Sequence, residues 1–201
     1  QHPGYAKLVN FCRVALEDHQ LALGWMDTVC INKSSSSELD ESIRSMYKWY
    51  EMAGVCITYL AETDSLSDMP NDAWFTRGWT LQELIAPKHV KFYMRTWNRL
   101  IGSHSSDKKD DTIHRIIESA TTIAANELQY PDVVSISRKM QWAASRQVTR
   151  AEDGAYSLMG LLGVSMSIAY GEGAEHAFIR LLKGILSTSN TDVLDVFNWG
   201  G

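Results

Sequence analysis

Trp74-Phe-Thr-Arg77-Gly78-Trp79-Thr-Leu-Gln82-Glu83-Leu84-Ile85 stands between two short apolar runs, Val55-Cys-Ile-Thr-Tyr-Leu60 and Val90-Lys-Phe-Tyr-Met94. The flanking runs are rich in β-branched and aromatic residues and read as strands. The stretch between them reads as a helix from about Arg77, ended by Pro87. Strand, helix, strand implies a parallel pair joined by a crossover. On that helix Trp79 and Glu83 sit at i and i+4, one turn apart on one face. A carboxylate beside an indole is costly to bury without a polar partner. Either Arg77 supplies that partner and the segment is structural, or Glu83 faces a cleft and binds a ligand.

Working outward, residues 5–19 read as a helix with Leu8, Phe11, Cys12, Ala15 and Leu16 as its apolar stripe. Residues 21–31 are apolar and short and read as a central strand covered on both faces. Asp27 falls near the carboxyl end of that strand, where α/β sheets bind ligands, or it caps the following loop. A loop through Lys33 leads to a helix over 37–52 with Ile43, Met46, Tyr47 and Tyr50 inward, stopped by Gly54. The fold class expected is α/β: a flavodoxin-like parallel sheet flanked by helices, with a mostly helical C-terminal half. Residues 103–111 are polar and read as a mobile loop. Helices are expected over 111–125, 135–145, 150–161 and 175–186, with a tight turn at Tyr170-Gly171-Glu-Gly173. Arg150, Glu152 and Asp153 gather at one helix start, where acids suit the dipole and a salt bridge is the plain reading. Trp25, Trp49 and Trp142 read as core, and Phe197 with Trp199 as a docking tail.

The 201 residues suit one domain with a full core. A net charge of −5 argues against nucleic acid as partner, and no apolar run approaches the ~20 residues of a membrane span. Three irregularly spaced cysteines are not a disulfide framework and fit a reducing compartment, so the cytoplasm is the expected location. No metal site is expected, since no CxxC or paired-histidine spacing occurs.

Several blocks resemble the fungal heterokaryon-incompatibility (HET) domain. They are Gly24-Trp-Met-Asp27-Thr-Val-Cys30-Ile-Asn32-Lys33, Ser42-Ile-Arg-Ser-Met46-Tyr-Lys-Trp49-Tyr50 and Arg77-Gly-Trp79-Thr-Leu-Gln82-Glu83-Leu84. Met140-Gln-Trp142-Ala-Ala-Ser-Arg146 with Thr149-Arg150-Ala-Glu152-Asp153-Gly-Ala-Tyr156, and Tyr170-Gly171-Glu172-Gly173 with Ala177-Phe178, complete the set in family order. The family's usual opening strand motif is missing, and Asn32 stands where an Asp is common. The resemblance makes 1–201 one HET domain: an α/β part over 1–100, similar to Toll/interleukin-1 receptor (TIR) domains, and a helical extension over 101–201.

What it implies is non-self recognition and programmed cell death. Through the TIR likeness it further implies cleavage of NAD+ as substrate, with no bound cofactor. Trp79 followed by Glu83-Leu84 matches the TIR pattern in which the glutamate is catalytic, so Glu83 is the candidate catalytic residue. Trp79, Trp74, Asp27, Arg77 and Lys33 are candidate substrate-binding residues, with Arg150, Glu152 and Asp153 in support. Self-association on activation and contact with other incompatibility proteins are the expected partnerships. A death-signalling module that acts by self-association without catalysis fits the same resemblance.

Overall fold

The structure, a computed structural model, describes residues 3–103 and 105–188. Helix α1, Pro3–Glu17, is followed by a short helix α2, Asp27–Cys30, and a long helix α3, Ser36–Met52. Strand β1, Cys56–Tyr59, leads through 3₁₀ turns at Met69–Asn71 and Ala73–Thr76 into helix α4, Thr80–Ile85, and then strand β2, Val90–Tyr93. Five helices complete the described chain: α5 Asp111–Thr121, α6 Ala125–Gln129, α7 Ile136–Ala144, α8 Asp153–Tyr156 and α9 Ala174–Leu186.

The strand–helix–strand reading holds. β1 and β2 pair in parallel, with Cys56 beside Val90 and Tyr59 beside Tyr93. Parallel neighbours cannot be joined by a tight turn, so the 30-residue connection through α4 is what topology requires. The sheet among the described residues has these two strands and no more. The fold is thus mixed α/β with a small parallel sheet.

The strand expected over 21–31 is not formed. Residues 21–26 are irregular and Asp27 opens a helical turn. A two-faced strand must be covered on both sides, yet Leu23 is 90% exposed and Val29 56%. Trp25 instead leans edge-on against Trp49 and Tyr50 of α3, with ring centroids 5.2 and 5.8 Å apart. Trp49 is 38% exposed and so forms a rim for this cluster, whereas Trp142 is fully buried as expected. The helix expected from Arg77 starts three residues later, because Asp72 holds a separate 3₁₀ turn by accepting the Trp74 amide at 3.0 Å. The helix expected over 150–161 is one turn, Asp153–Tyr156, followed by turns to Gly163. The helix expected over 111–125 ends at Thr121, where Thr122 takes a left-handed φ of 62°. Phe197 and Trp199 lie outside the described residues.

The polar loop 103–111 is pinned, contrary to its composition. Lys91, in the middle of fully buried β2, is 3% exposed and pairs with Asp107, which is 0% exposed. Its ammonium also donates to the carbonyls of Ser103 and Ser105 at 2.7 and 3.1 Å. Asp107 Oδ2 accepts the Phe92 amide at 2.8 Å. A buried charge must be paired and hydrogen-bonded, and here the loop folds inward to do it.

The main core gathers α3, α4, both strands and α5–α9. A smaller cluster of Val14, Tyr93 and Trp97 seats α1 on β2. Close approach matters most at Gly160, where an added Cβ would lie 2.1 Å from Tyr47 Cβ of α3. That atom is fixed by the helix backbone and cannot rotate away. Gly160→Ala is therefore expected to lose about 1–3 kcal/mol as overpacking strain, read as a lower denaturation midpoint at unchanged m-value.

Candidate functional site

Glu83 projects from the first turn of α4 and is partly buried. Its Oε2 accepts the Trp74 indole N–H at 3.2 Å. Trp74 is 6% exposed, its ring set edge-on against Phe75 and Phe92 with centroids 5.0 and 5.7 Å away. Trp74 thus orients the carboxylate and cannot stack on a ligand. Trp79, which the helical spacing placed beside Glu83, is partly buried against the core and is the remaining aromatic candidate for stacking.

Other groups face the same carboxylate. Tyr50, in the last turn of α3, has its phenol pushed well above its ordinary value by burial, with the Glu83 charge adding. Cys56, buried at the start of β1, is pushed up to about 12 by burial and the same charge. Burial raises the Glu83 carboxyl above its ordinary value, and the Asp27 charge adds to this. The Trp74 hydrogen bond and the charges of Arg77 and Lys7 act against it. Arg77 is exposed and closes no ion pair with Glu83, so the purely structural pairing does not form. A carboxylate offers about four lone-pair positions. The Trp74 indole N–H at 3.2 Å and the Tyr50 phenol use two of them.

Asp27 acts on this carboxylate through its charge, from a short helix instead of a strand end. Lys33 is exposed beyond α2 and makes no hydrogen bond or ion pair with Glu83. The residues missed by sequence reasoning are Tyr50, Lys7 and Arg146. Tyr50 followed the apolar stripe of α3 and read as core. Arg146 follows α7, where only its place in a resemblance block marked it.

Arg150, Glu152 and Asp153 build a separate network. Glu152 Oε1 accepts the amides of Gly171 and Gly173 at 2.8 and 3.1 Å, and Asp153 accepts the Tyr170 hydroxyl at 2.7 Å. The Arg150 guanidinium lies 4.1 Å from the Tyr170 ring centre. Tyr156 and Arg180 both donate to Glu172 Oε1, each at 2.5 Å. These contacts lock the 170–173 turn onto α8 and α9. Gly171 and Gly173 hold φ of 101° and 83°, conformations that favour glycine. Amide hydrogen bonds, that of its own residue first and then those of Gly171 and Gly173, hold the Glu152 carboxyl below its ordinary 4.5. A depressed folded value stabilises above 4.5 and is lost as pH falls through it. Glu152→Gln is expected to flatten the acid limb of a thermal-stability profile below that pH.

An apolar cavity of about 410 Å³ lies between α7, α8 and α9, lined by Met140, Ala143, Leu158 and Phe178 among others. It does not include Glu83. No group of three or more metal-ligating side chains occurs among the described residues, and no helix among them is long and apolar enough to cross a membrane.

Residues 6–72 match the family of heterokaryon incompatibility proteins (HET). The chain is also similar to the vegetative incompatibility protein HET-E-1 of Podospora anserina, at 39% identity over 195 residues and 90% of the chain. The chain belongs to the HET family. It spans about 14% of the length of that curated relative. No solved structure matches. The HET match runs from α1 to the Asp72 cap, and so takes in Lys7, Asp27 and Tyr50 but not Glu83 itself.

Proposed function

We propose that this HET domain is a cell-death effector of fungal non-self recognition, and that its Glu83 centre cleaves NAD+ to nicotinamide and ADP-ribose. The relative's name supports the incompatibility role. The observation that supports the chemistry is a half-buried glutamate whose carboxylate is oriented by an indole N–H, with the Tyr50 phenol beside it and the charges of Arg77, Asp27 and Lys7 acting on it. The parallel strand–helix–strand order around it supports a TIR-like, flavodoxin-related ancestry.

In this reading the bond from ribose C1′ to the nicotinamide nitrogen breaks, and its electron pair neutralises the pyridinium ring. The sugar passes through an oxocarbenium-like state, as in glycoside hydrolysis. Glu83 hydrogen-bonds the ribose hydroxyls and faces the developing positive charge. Water adds at C1′ and releases its proton. In the same reading exposed Arg77 and Lys33 take the pyrophosphate and Trp79 takes a ring.

A second reading is a non-catalytic module acting by self-association. Tyr5, Val9 and Leu16, at 54%, 48% and 61% exposure, line one face of α1 and favour it. Expression in fungal cells separates the two. Glu83→Ala is expected to abolish killing at unchanged protein level. Full killing by that variant would remove the catalytic reading and leave the module.

A further inference from the structure

Arg146 sits just beyond α7, 63 positions after Glu83 in sequence, yet its side chain reaches the base of α4. Its Nη1 donates to the Arg77 carbonyl at 2.9 Å and to Thr80 Oγ1 at 3.0 Å, and its Nε to the Trp142 carbonyl at 3.3 Å. The remaining nitrogen, Nη2, is buried without a hydrogen-bond partner. A guanidinium only donates. Thr80 Oγ1 must therefore accept from it, and the hydroxyl's single proton is left to donate. Thr80 Oγ1 lies 2.5 Å from the Trp74 carbonyl and 2.8 Å from that of Arg77, so its proton is shared between these two carbonyls with the shorter contact to Trp74. A chain of contacts results: Arg146 to Thr80, Thr80 to the Trp74 backbone, and, from the separate indole N–H of the same Trp74, to Glu83.

We infer that Arg146 is the positioning residue of the Glu83 centre, fixing through Thr80 the 3₁₀ turn that aims the Trp74 indole at the carboxylate. Three features of the geometry favour this over a plain structural tether. The side chain bonds both ends of the 77–80 joint, where the 3₁₀ turn passes into α4. Its orphaned nitrogen is a cost the fold retains, and such costs concentrate at functional sites. Its charge and that of Glu83 also act on each other: burial pushes the Arg146 guanidinium down to about 10, and Glu83 opposes that fall. The exposed Arg77, by contrast, contributes its carbonyl to this joint and its charge to the carboxylate.

The inference concerns the centre proposed above, but its test does not depend on turnover. The groups facing Glu83 are Lys7 from α1, Asp27 from α2, Tyr50 from α3, Cys56 from β1, Trp74 and Arg77 before α4, and Arg146. Only the last is changed first. In the purified domain, Arg146→Gln is expected to raise the Glu83 titration, followed by carboxyl NMR. It should also speed solvent exchange of the Trp74 indole proton by ~10-fold or more. Arg146→Lys, which keeps the charge and loses the forked bonds, should restore the titration better than the indole exchange. Thr80→Val, which cuts the chain without altering charge, should speed indole exchange while moving the titration less. Should Arg146→Gln fail to fold, the last two variants carry the same readouts. An unchanged indole exchange rate in every folded variant would overturn the assignment. If wild type releases no nicotinamide while these shifts occur, the positioning role stands and the enzymatic reading fails.

Discussion

Glu83→Gln is expected to lower nicotinamide release from NAD+ by about 100-fold or more, the scale on which preorganised charge stabilisation acts, while making the protein more stable at neutral pH. The two effects share one cause. Burial lifts the folded Glu83 carboxyl above its ordinary 4.5. Between 4.5 and the raised value the folded protein holds a proton that the unfolded chain lacks, so stability falls as pH rises through that window. Above it the charge penalty persists in full. Glutamine carries no charge and still accepts the Trp74 N–H through its amide oxygen. Wild type and variant should therefore melt together at pH 4 and separate as pH rises, by about 2–4 °C for each kcal/mol of penalty removed in a chain of this size. A purely structural acid would behave in the opposite sense, with Gln destabilising at every pH. The catalytic carboxylate must be ionised, so the acid limb of activity should follow the same titration. Trp74→Phe, which removes the opposing hydrogen bond, should move that limb upward.

Lys91→Met is expected to destabilise by about 3–5 kcal/mol, because it strands a buried carboxylate. That is a large share of the about 5–15 kcal/mol that holds a domain together. Asp107 is sealed, and its carboxyl is raised by burial against the pull of Lys91 and the Phe92 amide. Without the ammonium it can avoid the cost only by taking a proton. The loss should thus shrink as pH falls in guanidinium titrations of the variant. Lys91→Met with Asp107→Asn should recover part of it, since the asparagine oxygen still accepts the Phe92 amide. Equal losses in the single and double variants would mean that Lys91 acts through its contacts to Ser103 and Ser105 alone.

These two residues also show what the sequence made legible. Lys91 in an otherwise apolar run did not disturb the strand reading, because β-branched and aromatic neighbours outweigh one charge. Its need for a partner was legible in principle, but nothing local pointed 16 residues ahead to Asp107. The same non-locality turned a pinned loop into an expected mobile one. The 21–31 segment failed for another reason: apolar side chains signal burial only when something covers them, and Leu23 remains in solvent. For the site, the helical spacing pointed to Glu83 beside an indole; the indole that bonds it is Trp74, which the spacing could not reach because the Asp72 cap holds it in a separate 3₁₀ turn ahead of α4. Asp27 was expected at a strand end and opens a short helix instead, from which its charge acts on Glu83. Arg150, Glu152 and Asp153 gather at a helix start as expected, but the expected salt bridge is not among the described contacts: the acids bond Gly171, Gly173 and Tyr170, and Arg150 lies over the Tyr170 ring.

The central claim is that the Glu83 centre is chemically active. The direct measurement is nicotinamide release from NAD+ by the purified wild-type domain at high protein concentration, in monomeric and assembled fractions. Time-dependent nicotinamide is expected in at least one wild-type fraction, absent from the same fraction of Glu83→Gln. Equal release by both proteins, or none from any wild-type fraction, would contradict that claim.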